Sequence, residues 1–391
     1  MASLPLEPDL EQDHAWLLPA APAGDPDGVS VVDWRDFASA TAIAEWDELT
    51  LGASDPNPFF ESWNLLPALV NLDRDGNAQI AIYRSQGKLR GLMPVARVAR
   101  YYGYPLPHMR NWLHHNSFCG TPLVSRGYEI GFWTALLDWA DQNPGGAMFL
   151  HLTNLPDDGA VYAALRQVTA GRHRPSAVVH REQRAMLQSN QSPEDYFDAA
   201  MSAKKRKELR RQHNRLSEEG TLRFHRHDDD YKIDQWCDDF LALEQAGWKG
   251  SEGSALACDP ATASLFRIAM HGAATRGRAE RLSLSLDGKP IAMLVNFLAS
   301  PGSFSFKTAF DKSYARFSPG VLLQRENLAL LGRKDIAWSD SCAAADHPMI
   351  ERIWREKRNI VRANIGIGGS LRRTLFRQIL RAESGGGTDG L

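Results

Sequence analysis

The sequence predicts a mixed α/β protein in which one structural unit occurs twice. Two stretches carry this prediction, residues 78–95 (AQIAIYRSQGKLRGLMPV) and residues 280–296 (ERLSLSLDGKPIAMLVN). Each has an alternating apolar segment, a two-residue turn that contains glycine and a second apolar segment, the pattern of a β-hairpin. Each also follows a stretch of helical periodicity, at 63–72 and 260–276. This repeated order indicates a duplicated α/β unit.

Length and composition favour a globular protein of two domains. The chain has 391 residues, of which 43% are hydrophobic and 24% charged, with a net charge of −2. The balanced charge argues against a nucleic-acid partner. The acidic N-terminus lacks the basic and apolar parts of a signal peptide, so we expect a cytoplasmic protein. Its four scattered cysteines are expected to be reduced thiols that bind no metal.

Residues 1–28 lack periodicity and are expected to form a flexible tail. The first domain is predicted to span residues 29–187. Its expected elements after the hairpin are a polar segment at 112–124, a helix at 131–141, a strand at 147–155 and a helix at 158–168.

The second domain is predicted to span residues 188–382, followed by a flexible tail at 383–391. The predicted elements are, in order, a helix at 193–219, a strand at 221–227, helices at 233–246 and 260–276, the second hairpin, a strand at 302–310, a helix from Pro319, a strand at 335–340 and a helix at 348–357.

The start of the helix at Pro319 has an unusual composition. Ser318-Pro319-Gly320 opens an amphipathic run with no acidic residue in its first turn. Aspartate or glutamate there would complement the helix dipole, so this end is left positive. Ser318 is expected to cap the helix, and Gly320 lets a ligand approach the free amides. The pattern indicates a bound anion, although such a tripeptide also starts helices with no ligand.

Four stretches carry a resemblance to a known family. They are AGWKG with the following GSA (246–255), LDGKPIA (286–292), FDKSYARFSPGVLL (310–323) and SDSCAAADHPMIERIW (339–354). In this order they resemble GNAT-type acyltransferases, in detail the CelD/BcsL-type acetyltransferase branch, which is related to the double-domain Fem transferases. The resemblance covers residues 190–360 well and the first half weakly.

The resemblance implies tandem GNAT-like domains, each a mostly antiparallel twisted sheet flanked by helices. The C-terminal domain would be catalytic and the N-terminal one degenerate. The donor would be acyl-CoA, with its pyrophosphate held by Arg316, Ser318, Gly320 and Val321. This loop has one glycine where the family usually has two.

The resemblance also implies where catalysis takes place. Asp311 ends a strand at a gap expected to hold the thioester, and would act as general base. Asp340 faces the same gap and is the second candidate, while Tyr314 would protonate the departing thiolate. Structural roles remain open for them: Asp311 can cap a turn, and Tyr314 can pack on the sheet edge.

Two further groups are candidates for substrate binding. Glu244, Trp248 and Lys249 lie at the end of a helix and in the glycine-rich loop after it. In the first half, His114, His115 and Asn116 lie on a segment rich in polar groups. Adjacent histidines on an extended segment point to opposite faces, so they do not form a metal site.

The second half also contains a run of basic residues. Lys204, Lys205, Arg206 and Lys207 belong to a predicted helix with a narrow apolar seam. Such a run is usually a solvated face, but it also suits an anionic acceptor, a coenzyme phosphate or peripheral contact with an anionic inner membrane.

The predicted activity is N-acylation of an amine of the cell envelope. The acceptor would be an amino sugar or polysaccharide precursor, or a lipid amine such as a sphingoid base. Two alternatives stay open: a Fem-like transferase that uses aminoacyl-tRNA, and a binding module whose GNAT site has decayed.

Overall fold

A computed structural model describes residues 28–385 and 389–391. The strands are β1 (Gly28–Asp33), β2 (Ala78–Ser85), β3 (Lys88–Val98), β4 (His108–Asn111), β5 (Leu123–Val124), β6 (Phe149–Pro156), β7 (Ser176–Leu187), β8 (Leu222–His227), β9 (Ala279–Leu286), β10 (Lys289–Ala299), β11 (Gly302–Phe310), β12 (Trp338–Asp340), β13 (Glu356–Gly366) and β14 (Asp389–Gly390).

The α-helices are α1 (Ala40–Leu51), α2 (Ser62–Leu72), α3 (Glu129–Gln142), α4 (Ala160–Gly171), α5 (Pro193–Ala200), α6 (Ala203–Glu218), α7 (Ile233–Ala246), α8 (Trp248–Ser251), α9 (Pro260–Ala274), α10 (Pro319–Asn327) and α11 (Ser370–Ser384). In the described part of the chain, no helix is both long and apolar enough to cross a membrane.

One sheet runs through the whole molecule. Its strand order is β1-β2-β3-β4-β6-β13-β7-β12-β11-β10-β9-β8, with β5 beside β3 and β14 beside β7. Among the described strands, the parallel pairs are β4–β6, β11–β12 and β7–β14, and the other pairs are antiparallel. The predicted mixed α/β class, with a mostly antiparallel sheet flanked by helices, is confirmed.

Both predicted hairpins are present. β2 and β3 are joined at Gln86 and Gly87, and β9 and β10 at Asp287 and Gly288. All four residues have positive φ, at 55°, 70°, 48° and 80°. Positive φ at both turn positions matches the right-handed twist of the flanking strands, so each hairpin closes in two residues.

The last strand of each half pairs with the other half. β7 precedes residue 188 but pairs with β12 and β13 of the second half. β13 pairs with β6 and β7, both from the first half. The boundary predicted at residues 187 and 188 therefore divides strands of one continuous sheet.

Aromatic side chains of the two halves pack against each other on one face of this sheet. Phe59 is buried, and its ring centroid lies 5.7 Å from that of Phe304 and 6.0 Å from that of Phe306. Helix α2 packs on α9, where a Cβ on Gly272 would come within 2.8 Å of the Trp63 Cβ. Only glycine permits this close helix contact.

Two predicted helices differ from the structure. The helix predicted at 193–219 is divided into α5 and α6, because Ser202 starts a new helix and accepts a hydrogen bond from the Lys205 amide (3.4 Å). The helix predicted at 348–357 is wrong: a 3₁₀ turn at Ile350–Arg352 leads into β13. The charged residues of β13 obscure its alternation, because they pair across the sheet, as Arg358 does with Asp158 (2.9 Å).

The predicted tails are described only in part. The tail at 1–28 lies outside the described residues except for Gly28, where β1 begins. The tail at 383–391 overlaps α11, which continues to Ser384, and β14, which pairs with β7. Residues 386–388 lie outside the described residues.

A fragment of residues 188–391 is expected not to fold alone. It keeps β13 but lacks β6 and β7, the two strands with which β13 pairs. Unpaired edges and exposed apolar surface then favour aggregation. Circular dichroism and gel filtration of the fragment measure this. Co-expression with residues 1–187 is the control and should restore a soluble complex. A monomeric fragment that unfolds cooperatively would contradict the expectation.

Candidate active site

A cavity of about 500 Å³ opens where β11 and β12 diverge. These strands are parallel partners over three residue pairs, the last being Phe304 and Asp340. Beyond that pair, residues 305–308 of β11 form one wall and residues 341–344 the other. The start of α10, two residues of α8, Phe118 and His347 are also part of the lining. A gap between splayed strands is what the resemblance implied.

The N-terminus of α10 faces this cavity without a side-chain cap. Ser318 is the N-cap residue in a left-handed conformation (φ 54°, ψ 49°), and its side chain makes no capping hydrogen bond. The expectation that Ser318 caps the helix is therefore wrong. The first turn has no acidic residue, and Ser318, Gly320 and Val321 all line the cavity. An open helix N-terminus attracts anions, so this end of the cavity suits a phosphate group.

The first-turn amides differ in what they can offer a ligand. Pro319 has no N–H, and Val321 donates its own to the Ser318 carbonyl (2.9 Å). Gly320 therefore supplies the most available amide of these three. A Cβ on Gly320 would lie 3.2 Å from the Met349 Sδ and 3.4 Å from the Phe310 ring. The absent side chain keeps the approach to the helix start open.

Arg316 lies outside the residues that line the cavity. Its guanidinium donates to the Glu219 carboxylate (2.6 Å) and lies over the Phe317 ring at 4.7 Å. The Arg316 carbonyl accepts a hydrogen bond from the Gln212 side chain (3.1 Å). Arg316 thus joins the end of the basic helix α6 to the turn before α10.

A buried charged group forms the opposite end of the cavity. Glu244 Oε1 lies 2.9 Å from Lys249 Nζ and 3.7 Å from Lys307 Nζ, while Oε2 accepts from the Leu256 amide (2.9 Å). Burial would raise the pKa of Glu244, but the two ammonium groups and the amide hold it below its usual value. Burial, aided by repulsion from Lys249, lowers the pKa of Lys307 to about 8. Two lysines share one carboxylate, which leaves this wall positive.

Two further ionisable residues line the cavity. Burial lowers the pKa of His347, so the imidazole is mostly neutral at pH 7, and its Nδ1 is buried without a hydrogen-bond partner. Burial raises the pKa of the Cys342 thiol well above its usual value. His347 is therefore available to accept a proton, whereas Cys342 is not a nucleophile near neutral pH.

The three residues predicted to be catalytic do not line this cavity. Asp311 accepts from the Ser313 amide (2.9 Å) and hydroxyl (2.7 Å) and caps the 3₁₀ turn Lys312–Phe317. Tyr314 packs half-buried against apolar residues on the other face of the sheet. Asp340 is buried, accepts from the Cys342 amide (2.8 Å) and pairs with Arg184 (3.4 Å). Their catalytic roles stay predictions.

The predicted substrate-binding residues separate into two places. Trp248 and Lys249 line the cavity, and Glu244 holds Lys249 there. His114 and Asn116 instead line a separate small cavity against α9.

The histidines of the first half therefore stay outside the main cavity. His115 is exposed. His114 is partly buried, and desolvation of its ring lowers its pKa to about 3. Their segment reaches the main cavity through Phe118.

Sequence reasoning missed Lys307, His347 and Phe118. Lys307 had a readable signal, since it is a lysine within an otherwise uncharged strand sequence, GSFSFKTAF. His347 lies in a stretch that carries the family resemblance, but its burial depends on the fold. Within the described ranges, no three His, Cys, Asp or Glu side chains are grouped so as to hold a metal ion.

Comparisons with known proteins agree with this geometry. Residues 203–347 match the family model of the acetyltransferase (GNAT) domain. That match covers β8 to β12 and most of the residues that line the cavity, with Phe118, Met349 and Ile350 outside it. A search of curated proteins gave no significant match.

Solved structures match over most of the chain. The crystal structure of FemX has a TM-score of 0.54 at 10% identity and covers 86% of this chain and 98% of its own. A conserved protein of unknown function from Bacteroides thetaiotaomicron has a TM-score of 0.53 at 11% identity, covering 83% and 97%. The C-terminal domain of a putative lysylphosphatidylglycerol synthetase from Agrobacterium fabrum has a TM-score of 0.50 at 11% identity, covering 89% and 97%.

These likenesses extend over both halves of the chain, but at such low identity they concern the fold alone. The family match identifies the second half more closely. Residues 203–347 carry a GNAT-type acetyltransferase domain, within a chain that shares the fold of FemX.

Proposed function

We propose that the protein is an acyl-CoA-dependent N-acyltransferase whose acceptor is an amine of a cell-envelope component. The acceptor would be an amino sugar or polysaccharide precursor, or a sphingoid-type lipid amine, as in the CelD/BcsL-type branch. The observation that carries the proposal is the uncapped start of α10, which opens into the cavity between β11 and β12.

The residues at this end of the cavity fit a coenzyme A thioester. The pyrophosphate would lie against the Gly320 amide and the Ser318 hydroxyl, at the positive end of the α10 dipole. The pantetheine arm would follow the gap between residues 305–308 and 341–344, which is mostly uncharged. The acyl carbonyl would then approach Lys307.

The transfer needs a stabilised oxyanion and a proton acceptor. Attack of the amine on the thioester carbon places negative charge on the carbonyl oxygen, which the Lys307 ammonium would stabilise. His347, neutral and unpaired at Nδ1, would take the proton from the attacking nitrogen. Collapse of the intermediate reforms the carbonyl, breaks the C–S bond and releases the thiolate, to which His347 can return the proton.

The fold alone does not select the donor, because the solved relatives have different functions. Incubation of the pure protein with acetyl-, medium- and long-chain acyl-CoA, with free thiol and acylated products measured, tests the proposal. A Fem-like transferase would release acyl groups only from aminoacyl-tRNA. A decayed module would bind no thioester.

Gly320→Asp is expected to weaken coenzyme A binding by roughly 100-fold. Its carboxylate would take the place of the pyrophosphate and repel it. Gly320→Ala is the matched control, because its Cβ meets mainly the flexible Met349 side chain. It should bind within a few-fold of wild type. Calorimetry measures both affinities, and unchanged binding by the aspartate variant would remove the pyrophosphate assignment.

His347→Gln is expected to lower kcat by about 10²–10⁴-fold, the usual loss when a general base is removed, with little change in thioester affinity. Asp311→Asn tests the rival assignment and should leave kcat near the wild-type value, since Asp311 caps a turn. Steady-state kinetics with a small amine acceptor distinguish the two. A large loss in the Asp311 variant alone would restore the sequence-based prediction.

The role of Lys307 predicts a pH dependence. Its ammonium form is present below its pKa of about 8 and is lost as the pH rises through that value. Wild-type kcat should therefore fall above pH 8 relative to Lys307→Arg, whose guanidinium stays charged. Using the ratio of the two rates cancels ionisation of the acceptor amine. A ratio that is constant from pH 6 to 10 would show that the charge of Lys307 is not used.

A further inference from the structure

A second groove lies at the edge of the sheet in the catalytic half. It has a volume of about 690 Å³ and runs between α7 and the strands β8, β9 and β10. None of the residues predicted from the sequence to form a site lines it. On the helix side it is lined by Lys232, Gln235, Trp236 and Asp239, whose spacing places them on one face of α7.

The strand side of the groove presents one polar face of the sheet. His225, Ser283 and Met293 are direct cross-strand partners, and all three line the groove. The next row is His227 and Arg281, followed in β10 by Val295 and in β11 by Lys307. Partners in register point to the same face. The groove and the Lys307 wall of the cavity therefore share one face of the sheet, crossed by α7.

Two donors in this groove lack partners. Arg281 is almost fully buried, and its Nη2 donates to the Asp229 and Tyr231 carbonyls (2.8 and 3.1 Å) and to the Asp229 carboxylate (3.3 Å). Its Nε has no acceptor among the described residues. The indole N–H of Trp236 is also buried without an acceptor. Buried donors without acceptors are uncommon in folded proteins, and both of these belong to residues lining the groove.

The exposed charges of the groove favour an anion. Arg223 and His225 are exposed on β8, and neither is paired with a carboxylate in the described part of the chain. The lining carries Arg223, Lys232 and Arg281 against two carboxylates, so positive charge is in excess. Asp287 accepts from the Thr221 amide (2.8 Å), and Asp239 accepts from the Gln235 amide group (2.9 Å).

We infer that this groove binds a phosphate ester through Arg223, His225 and the serine hydroxyls of β9. Arginine and serine together match the acceptor oxygens of a phosphate. The exposed Tyr231 ring, 5.9 Å from the His227 ring, offers an apolar surface for the rest of the ligand.

The phosphate ester is assigned to the acceptor, an assignment that rests on the proposed function. Helix α7 lines the groove near its start, through Trp236, and near its end carries Glu244, which holds the cavity residue Lys249. An acceptor anchored by its phosphate would extend along this helix toward Lys307. The same phosphate chemistry occurs in a soluble sugar phosphate and in a phospholipid headgroup.

Binding is measured directly on the full chain, without thioester. The probes are glucosamine 6-phosphate, with glucosamine as the match that lacks the phosphate, and vesicles of phosphatidic acid in phosphatidylcholine, with pure phosphatidylcholine as their match. The test variant is Arg223→Gln with His225→Gln, both exposed positions. The control is Arg210→Gln on the exposed face of α6. Loss of a charged hydrogen bond should weaken binding by about tenfold.

Each outcome decides the inference. Binding of glucosamine 6-phosphate that weakens in the groove variant and not in the control supports a soluble ligand. The same pattern with phosphatidic acid vesicles alone supports a lipid. Binding that weakens only in the control, or no binding of either phosphate probe, overturns it. The affinity of the wild-type protein for the thioester is measured in parallel. A protein that binds the phosphate probe but no thioester would refute the proposed function and leave the groove assignment standing.

Discussion

The buried carboxylate of Asp340 holds together the part of the fold on which the site depends. Asp340 ends β12 and lies 3.4 Å from the Arg184 guanidinium on β7 and 4.0 Å from that of Arg358 on β13. β7 belongs to the first half but pairs with strands of the second, and β13 belongs to the second half but pairs with strands of the first. Arg184 also donates to the Phe118 carbonyl (2.8 Å), which positions a residue of the cavity wall. Removing one partner of a buried ion pair typically costs about 3–5 kcal/mol, so this group constrains both the sheet and the cavity.

The same carboxylate helps to open the cavity. Asp340 accepts a hydrogen bond from the Cys342 amide, and Cys342 has a left-handed backbone with φ of 52°. A non-glycine residue rarely adopts this conformation unless its surroundings enforce it. The bend turns residues 341–344 away from β11 just beyond Phe304 and Asp340, the last residue pair of β11 and β12. The gap between the strands thus follows from a specific buried contact.

Lys307 shows how the site opposes stability. Its pKa in the folded protein, about 8, lies below its usual value, so the folded state binds fewer protons than the unfolded chain between those values. The contribution of this residue to the free energy of unfolding therefore rises with pH across that window and is unfavourable below it. Glu244 offsets part of this cost. The oxyanion-stabilising role proposed for Lys307 would account for a buried ammonium that weakens the fold at neutral pH.

The sequence predicted local structure better than it predicted the site. Alternation and turn residues located both hairpins, and α7 has the predicted bounds, because these signals act within a few residues. β7 and β13 were not predicted, since their polar residues are matched by partners far along the chain, as Arg358 is by Asp158. The burial of a residue such as His347 depends on tertiary packing, so its place in the site could not be predicted from the sequence for the same reason. The motif at Ser318 lies at a helix start that faces the cavity, although its side chain does not cap, and the predicted anion stays a prediction.

The duplicated order raises the question of why the two halves differ as sites, and the start of α3 gives the answer. By element order α3 corresponds to α10, but its first turn contains Glu129, whose carboxylate accepts from the Gly127 amide (3.0 Å) and the Ser54 hydroxyl. This helix end is neutralised by its own chain. The corresponding gap, between β4 and β6, is bridged by the Asn111 amide, which donates to the carbonyls of Thr153 (3.0 Å) and Gly120 (3.2 Å).

These two contacts occupy the positions that remain open in the second half. A Cβ on Gly120 would lie 2.0 Å from the Thr153 carbonyl oxygen, so the segment that precedes β5 packs directly on β6 at this point. At these two positions the first half thus has internal hydrogen bonds, those of Glu129 and Asn111. It also supplies β6 and β7 to the shared sheet and Phe118 to the cavity. Under the proposed function we therefore expect one thioester per chain, at the uncapped start of α10 and not at the start of α3, which Glu129 neutralises.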